Sequence, residues 1–330
     1  MTKPRPINGR GLFAALTLLF IITSSGCGFS SRVNPSFSTS YDDAKVELTQ
    51  MSEDPVLLNR PVVVLGGWGD PGFVPTSISK RMQLATGDTR VIAVNFLGTG
   101  GFDESARKAV REVDEAFPSD DPNQTVEVDV IGFSMGGLVA RYAAIPVSET
   151  GEKKFRKRLN IKNLYTISTP HKGAELAWTA WWDPSARAMM PGSDFIVRLN
   201  RDFKENHRYN TTAYTRLQDL IVGEENAAPD GVDLWWVDNR PFQTAHGNSG
   251  TDRRFLADIA RRLRSEPPLA LGKPAPFPWE TDVPQVQPTT VLVKNTDTDS
   301  QPSPVIAEYN ASPAPSNSIS PATSPTNSGG

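Results

Sequence analysis

Ser134 stands in Gly132-Phe133-Ser134-Met135-Gly136-Gly137, with a glycine two residues to either side. That spacing suits a nucleophile: a hydroxyl lifted clear of a turn so tight that side chains at positions 132 and 136 would strike neighbouring backbone. The stretch 126–131 reads as a buried strand and 137–144 as a helix, which is the strand-turn-helix context such an elbow requires. The amides opening that helix would point at a developing oxyanion, that of Met135 first. A second donor is expected from the loop after an early strand, where Gly66-Gly67-Trp68-Gly69-Asp70 lies. Gly67 would let the backbone approach an acyl oxygen, while Trp68 offers its amide and sets its ring along the acyl pocket.

A serine at neutral pH needs a base within hydrogen-bond reach, and the chain has only His171, His207 and His246. In sites built on such an elbow the nucleophile, acid and base follow in that chain order. His246 lies in Thr244-Ala245-His246-Gly247-Asn248, after the last strand candidate and before a closing helix, so it is the expected base. His171 follows the nucleophile's helix too early and is expected to order a pocket wall, and His207 reads as a surface residue. The third member must be a carboxylate between Ser134 and His246 that holds the imidazole tautomer. Asp219, ending Tyr214-Thr215-Arg216-Leu217-Gln218, fits best, with Glu224, Glu225, Asp230 and Asp238 as rivals.

These residues need a frame. Strand candidates at 61–65, 91–96, 126–131 and 164–167 alternate with helical stretches at 77–85, 104–117 and 137–144, and two more strands are expected near 213–218 and 232–237. Alternation of this kind predicts an α/β fold, a mostly parallel central sheet with helices on both faces. A final amphipathic helix at 252–263 places Phe255, Leu256, Ile259 and Leu263 on one face. Between Lys172 and Phe203, Trp178, Trp181, Trp182, Met189, Met190 and Phe195 suggest a small helical cap at about 174–205 whose tryptophans line the substrate pocket, although core packing on outer helices would use the same residues. Residues 59–265 form the expected domain, 27–58 a tether, and 266–330 a disordered tail rich in Pro, Ser and Thr. No internal repeat is present.

The N-terminus has its own logic. Lys3, Arg5 and Arg10 precede an uncharged apolar run at 11–22, the pattern of an export signal over residues 1–26. The run stops at Ser24-Ser25-Gly26-Cys27, and Cys27 is the single cysteine. The arrangement resembles a bacterial lipoprotein signal with acylation at Cys27, although Ser24 stands where Leu is usual; an ordinary secretory signal or an uncleaved anchor would leave Cys27 an incidental thiol. A lipid anchor would put the protein in the cell envelope. No internal disulfide can form. The whole chain carries net charge −3, and residues 27–330, with 31 basic and 37 acidic side chains, carry −6. That balance excludes nucleic acid as an expected partner. The scattered histidines and lone cysteine give no zinc site, so no metal or cofactor is expected.

With those residues in place, the chain from 61 to 263 resembles a bacterial triacylglycerol lipase or esterase of the α/β-hydrolase family. The resemblance rests on the glycine loop at 66–69, the elbow, Ser168-Thr169-Pro170-His171-Lys172-Gly173, Met190-Pro191-Gly192-Ser193, Asp219-Leu220-Ile221-Val222 and His246-Gly247. It implies Ser134 as nucleophile, Asp219 as acid, His246 as base, Trp68 and Met135 as oxyanion donors, and an ester or lipid substrate. Such lipases usually carry His-Gly where this chain has Gly66-Gly67, a change that leaves the backbone donors intact and alters pocket polarity. A thioesterase or a phospholipid or protein deacylase would use the same triad, and a non-catalytic lipid-binding lipoprotein would use the scaffold alone.

Overall fold

The computed structural model describes residues 32–146 and 157–281. The signal-like segment, Cys27 and the chain beyond 281 lie outside the described residues. Helix α1 (Tyr41–Glu53) leads into β1 (Val62–Leu65), and the chain then alternates: α2 (Phe73–Thr86), β2 (Val91–Val94), α3 (Phe102–Ala116), β3 (Gln124–Phe133), α4 (Met135–Ala144) and β4 (Arg158–Ile167). A 3-10 turn (Ala177–Ala180), α5 (Pro184–Ala188) and α6 (Asp194–Asn206) intervene before β5 (Asn210–Arg216), β6 (Leu234–Val237), α7 (Ala245–Ser249) and α8 (Arg253–Leu263).

The six strands form one sheet in the order β2-β1-β3-β4-β5-β6, every neighbour parallel. All four residues of β1 are buried because helices cover both faces. Val62 and Val64 join Ile78, Met82, Leu256 and Ile259 on the α2/α8 side, whereas Val63 and Leu65 join Ala106, Val110 and Leu138 on the α3/α4 side. The strand order reverses between β1 and β3, and the crevice at such a switch point is where open α/β sheets present their sites.

Element ends moved where local chemistry was mixed. β4 starts at Arg158 rather than 164, since alternating Arg158, Asn160 and Lys162 mask the buried Leu159 and Ile161. β5 stops at Arg216 because Gln218, at φ 67°, breaks the extended run.

The tether expected over 27–58 is corrected for its described part. Phe37, Met51 and Leu58 are buried in the core, and the Asn34 amide donates to the Trp236 carbonyl at 2.8 Å. Phe37 packs edge-on or tilted among Tyr214, Trp235 and Phe255, with centroids 6.2 to 6.5 Å apart. A polar, weakly patterned stretch concealed one aromatic anchor. Phe37→Ala is expected to lower unfolding free energy by about 3–5 kcal/mol; a urea denaturation midpoint equal to wild type would restore the tether reading.

The tail boundary is corrected as well. Residues 266–281 pack on the domain: the Asp258 carboxylate accepts the Leu269 and Ala270 amides at 2.6 and 2.9 Å, and the Trp236 indole donates to the Ala275 carbonyl. Phe277 and Trp279 stack at 4.6 Å. Frequent prolines hid these contacts from a composition-based boundary.

Candidate active site

Ser134 occupies the turn between β3 and α4 at φ 51°, ψ −125°, a region that L residues rarely adopt. Several contacts hold it there. Its amide donates to the Ile167 carbonyl at 2.9 Å, and Thr169 Oγ1 donates to the Ser134 carbonyl at 2.9 Å. Glycines make the turn sterically possible. A Cβ on Gly132 would sit 2.5 Å from Gly137 Cα, and one on Gly136 would sit 2.3 Å from the Leu65 carbonyl oxygen. Because that oxygen belongs to backbone, Gly136→Ala is expected to cost about 3 kcal/mol by overpacking and to displace the 66–69 loop. Thermal unfolding and active-serine labelling, measured together, check both effects.

His246 lies on α7, and its ring packs against Phe133 at 5.4 Å. Its Nε2 is 3.0 Å from Ser134 Oγ and its Nδ1 is 2.9 Å from Asp219 Oδ2. Asp219 is fully buried, its other oxygen accepting the Ile221 and Val222 amides at 3.2 Å. An acceptor-only carboxylate against Nδ1 requires the proton there, which leaves Nε2 free to accept from the serine hydroxyl. The structure therefore brings Ser134, His246 and Asp219 into one hydrogen-bonded line across the ends of β3, β5 and β6. The rival carboxylates point elsewhere. Glu224 accepts the Gln218 amide, Glu225 the Trp279 indole, Asp230 pairs with Lys172, and Asp238 accepts the Arg32 amide.

Gly67 faces the serine: a Cβ there would come within 3.3 Å of Ser134 Cβ and 3.1 Å of the Phe133 ring. The amides of Trp68 and Met135 find no acceptor among the described residues. The Trp68 ring departs from expectation. It is 47% exposed, and its indole N–H donates to Asp183 Oδ1 at 3.1 Å, so it bridges to the cap segment and does not line an enclosed acyl pocket.

Trp178, Trp181 and Trp182 are corrected too: each is about two-thirds exposed and none lines an enclosed pocket. The backbone before them is spent on the acid loop, with the Glu175 and Leu176 amides donating to the carbonyls of Val222 and Ile221. That tie leaves the tryptophan rings facing outward. The cap is buried against the α3/α4 side through the small Ala174 and Ala177 in its first half and through Met189, Ile196 and Leu199 in its later half.

Two buried charged clusters escaped the sequence reading, since charge carries no periodic signature. Arg141, 1% exposed, donates to His171 Nδ1 at 2.8 Å, to the Leu199 carbonyl at 2.7 Å and to Asn200 Oδ1 at 3.0 Å, tying α4 to α6. His171 is fully buried, and its Nε2–H donates to Thr166 Oγ1 at 3.1 Å. Burial, aided by the positive charges of Arg141 and Lys172, holds its pKa well below the ordinary imidazole value. The unfolded chain binds a proton near pH 6.5 that the folded chain refuses, so this stabilisation is present above pH 6.5 and lost as pH falls below it. His171→Gln is expected to flatten the decline of melting temperature between pH 6.5 and 5; an unchanged slope would exclude His171 as its source. His207 is exposed, capping α6. The second cluster, Arg216 with Asp252, Arg254 and Gln243, supports the loop before His246.

Among the described residues, no three His, Cys, Asp or Glu side chains group to hold a metal ion.

The parallel sheet, the glycine-framed serine at its switch point and the carboxylate-imidazole-hydroxyl line define a class. The profile of the alpha/beta hydrolase family matches residues 62–319, and the chain belongs to that family. Among solved structures it is similar to a phospholipase from Legionella pneumophila, at 18% identity over 49% of this chain and 38% of the phospholipase, with a TM-score of 0.35. The chain thus spans about two-fifths of that enzyme's length. It is also similar to an esterase from Pyrobaculum calidifontis (16% identity, 68% of this chain and 90% of that one, TM-score 0.38) and to a lipase from Bacillus licheniformis (16% identity, 59% and 90%, TM-score 0.39). No curated protein matches the sequence.

Proposed function

We propose that the protein hydrolyses carboxylic esters through an acyl-enzyme formed on Ser134. One observation carries the reading: Ser134 Oγ, both His246 ring nitrogens and a buried Asp219 carboxylate form a continuous relay of 3.0 and 2.9 Å contacts. As Ser134 Oγ attacks the ester carbonyl carbon, its proton passes to His246 Nε2. Asp219 stabilises the resulting imidazolium without taking the proton, and the amides of Trp68 and Met135 receive the oxyanion. Collapse expels the alcohol, protonated by His246. Water, deprotonated by the same nitrogen, then releases the acid and restores Ser134. No residue outside this set is asked to change protonation state.

Fluorophosphonate labelling of the full chain in detergent tests the reading. A single adduct on Ser134 is expected; failure of folded protein to label would end it and leave the lipid-binding alternative. A chain-length series of esters, set beside thioesters and phospholipids, then identifies the substrate class. The same reading includes an anchor on Cys27 that keeps the enzyme at a membrane of the cell envelope, supported by the basic, apolar and cysteine order of residues 1–27. Incorporation of labelled palmitate that Cys27→Ser abolishes is the expected result.

A further inference from the structure

Because all six strands are parallel, the loops that follow them share one edge of the sheet, the edge that carries Ser134. Among the described residues, those loops also carry most of the exposed large apolar side chains. Trp68 follows β1, Trp178, Trp181 and Trp182 follow β4, Leu220 follows β5, and Phe242, wholly exposed at φ 61°, follows β6. At the opposite edge the exposed large apolar residues include Leu57, Leu84 near the end of α2, and Leu271, none of them aromatic. Exposed apolar side chains gathered on one edge point to an interaction site, and tryptophan is the side chain best suited to a boundary between water and hydrocarbon.

The entry of the chain lies at the same edge. The Arg32 amide donates to Asp238 Oδ2, just beyond β6, and Cys27 is five residues earlier, roughly 17 Å at full extension. Beside that point the guanidinium groups of Arg240 and Arg253 lie 3.9 and 4.8 Å from the Tyr41 ring centroid, so two arginines stand near Phe242 on a chain whose net charge is negative. No helix among the described residues is long and apolar enough to cross a membrane.

We infer that this edge is a docking surface for a phospholipid bilayer: the tryptophan rim enters the headgroup layer, the arginine corner meets lipid phosphates, and the Ser134 opening faces the leaflet to which the N-terminal segment is attached. The inference rests on the membrane anchor of the proposed function and not on its ester chemistry. Four of the chain's seven tryptophans stand on the rim, whereas Trp235 and Trp236 are buried, so intrinsic fluorescence reports the orientation.

The full chain is reconstituted into phosphatidylcholine/phosphatidylglycerol vesicles with or without brominated acyl chains. Bromine is expected to lower wild-type tryptophan emission by about one-third or more, the rim rings lying within its reach. Joint replacement of Trp178, Trp181 and Trp182 by Ser is expected to remove most of that drop, and Leu57→Trp added to this background is expected to emit unquenched. Vesicle-bound wild type that is not quenched, quenching of the Leu57→Trp reporter, or failure to associate with vesicles would each overturn the inference. Ser134→Ala is expected to be quenched like wild type although it does not label, so labelling and docking fail separately.

Discussion

Ser134→Ala is expected to abolish fluorophosphonate labelling and to lower ester hydrolysis by three orders of magnitude or more, about the loss that follows removal of a serine nucleophile. His246→Ala should fall to a similar level rather than multiply the loss in a double variant, because the hydroxyl and the imidazole act as one unit. Asp219→Asn separates geometry from charge. The amide would present N–H to His246 Nδ1, forcing the proton to Nε2 and turning it away from its role as acceptor, at a cost of about four orders of magnitude. Near-wild-type turnover in Ser134→Ala would refute the assignment outright. The elbow adds a second readout. Ser134 is held in a backbone region costly for any residue with a Cβ, so Ser134→Gly should unfold at higher temperature than Ser134→Ala, by about 1 kcal/mol of stability, while remaining equally inactive.

Asp252→Ala is expected to be the most destabilising substitution outside the hydrophobic core. The carboxylate is 1% exposed and accepts from Arg216 Nε and Arg254 Nη2 at 2.7 Å, while also capping the first turn of α8. Burial by itself would raise its pKa, but the hydrogen bonds and charge of Arg254, joined by Arg216, outweigh burial and hold it below the ordinary value. Removing it leaves Arg216 buried without a counter-charge, a loss of about 3–5 kcal/mol. The same Arg216 reaches Gln243 Oε1 at 3.0 Å, and Arg254 reaches the Asp238 carbonyl at 2.9 Å, so the loop leading to His246 loosens with it. A melting temperature lower by roughly 10 °C, with weakened labelling at temperatures where the variant is folded, is the expected pair of results. Because the native carboxyl is the stronger acid, its contribution is present above the unfolded carboxylate pKa of about 3.9 and is lost as pH falls through the native value. Wild type should therefore lose stability relative to Asp252→Ala at the acid end of a titration, and parallel curves would contradict this account.

The elbow is legible in the sequence because its requirement is local. A Cβ at position 132 or 136 meets backbone a few residues away or on the adjoining strand, so glycine spacing alone announces the turn. The fold class is legible for a similar reason: continuous apolar runs alternating with helical periods permit few arrangements besides a parallel sheet covered on both faces. Phe37 and Phe277 were not legible as packing residues, since one aromatic within a polar or proline-rich segment produces no period.

By itself, then, the sequence determined which serine could be raised on a strand-turn-helix bend, the order in which acid and base must follow it, and the layered architecture that carries them. These follow from steric and periodic rules that act over a few residues. Tertiary structure alone decided that Asp219, and none of its four neighbouring rivals, reaches His246, since that contact joins strand ends whose nearness depends on sheet order. It likewise decided that Arg141 and Arg216 are enclosed and that the cap tryptophans face outward. Burial of a charge or exposure of a ring is a property of the surrounding surfaces, which exist only once segments distant along the chain have packed.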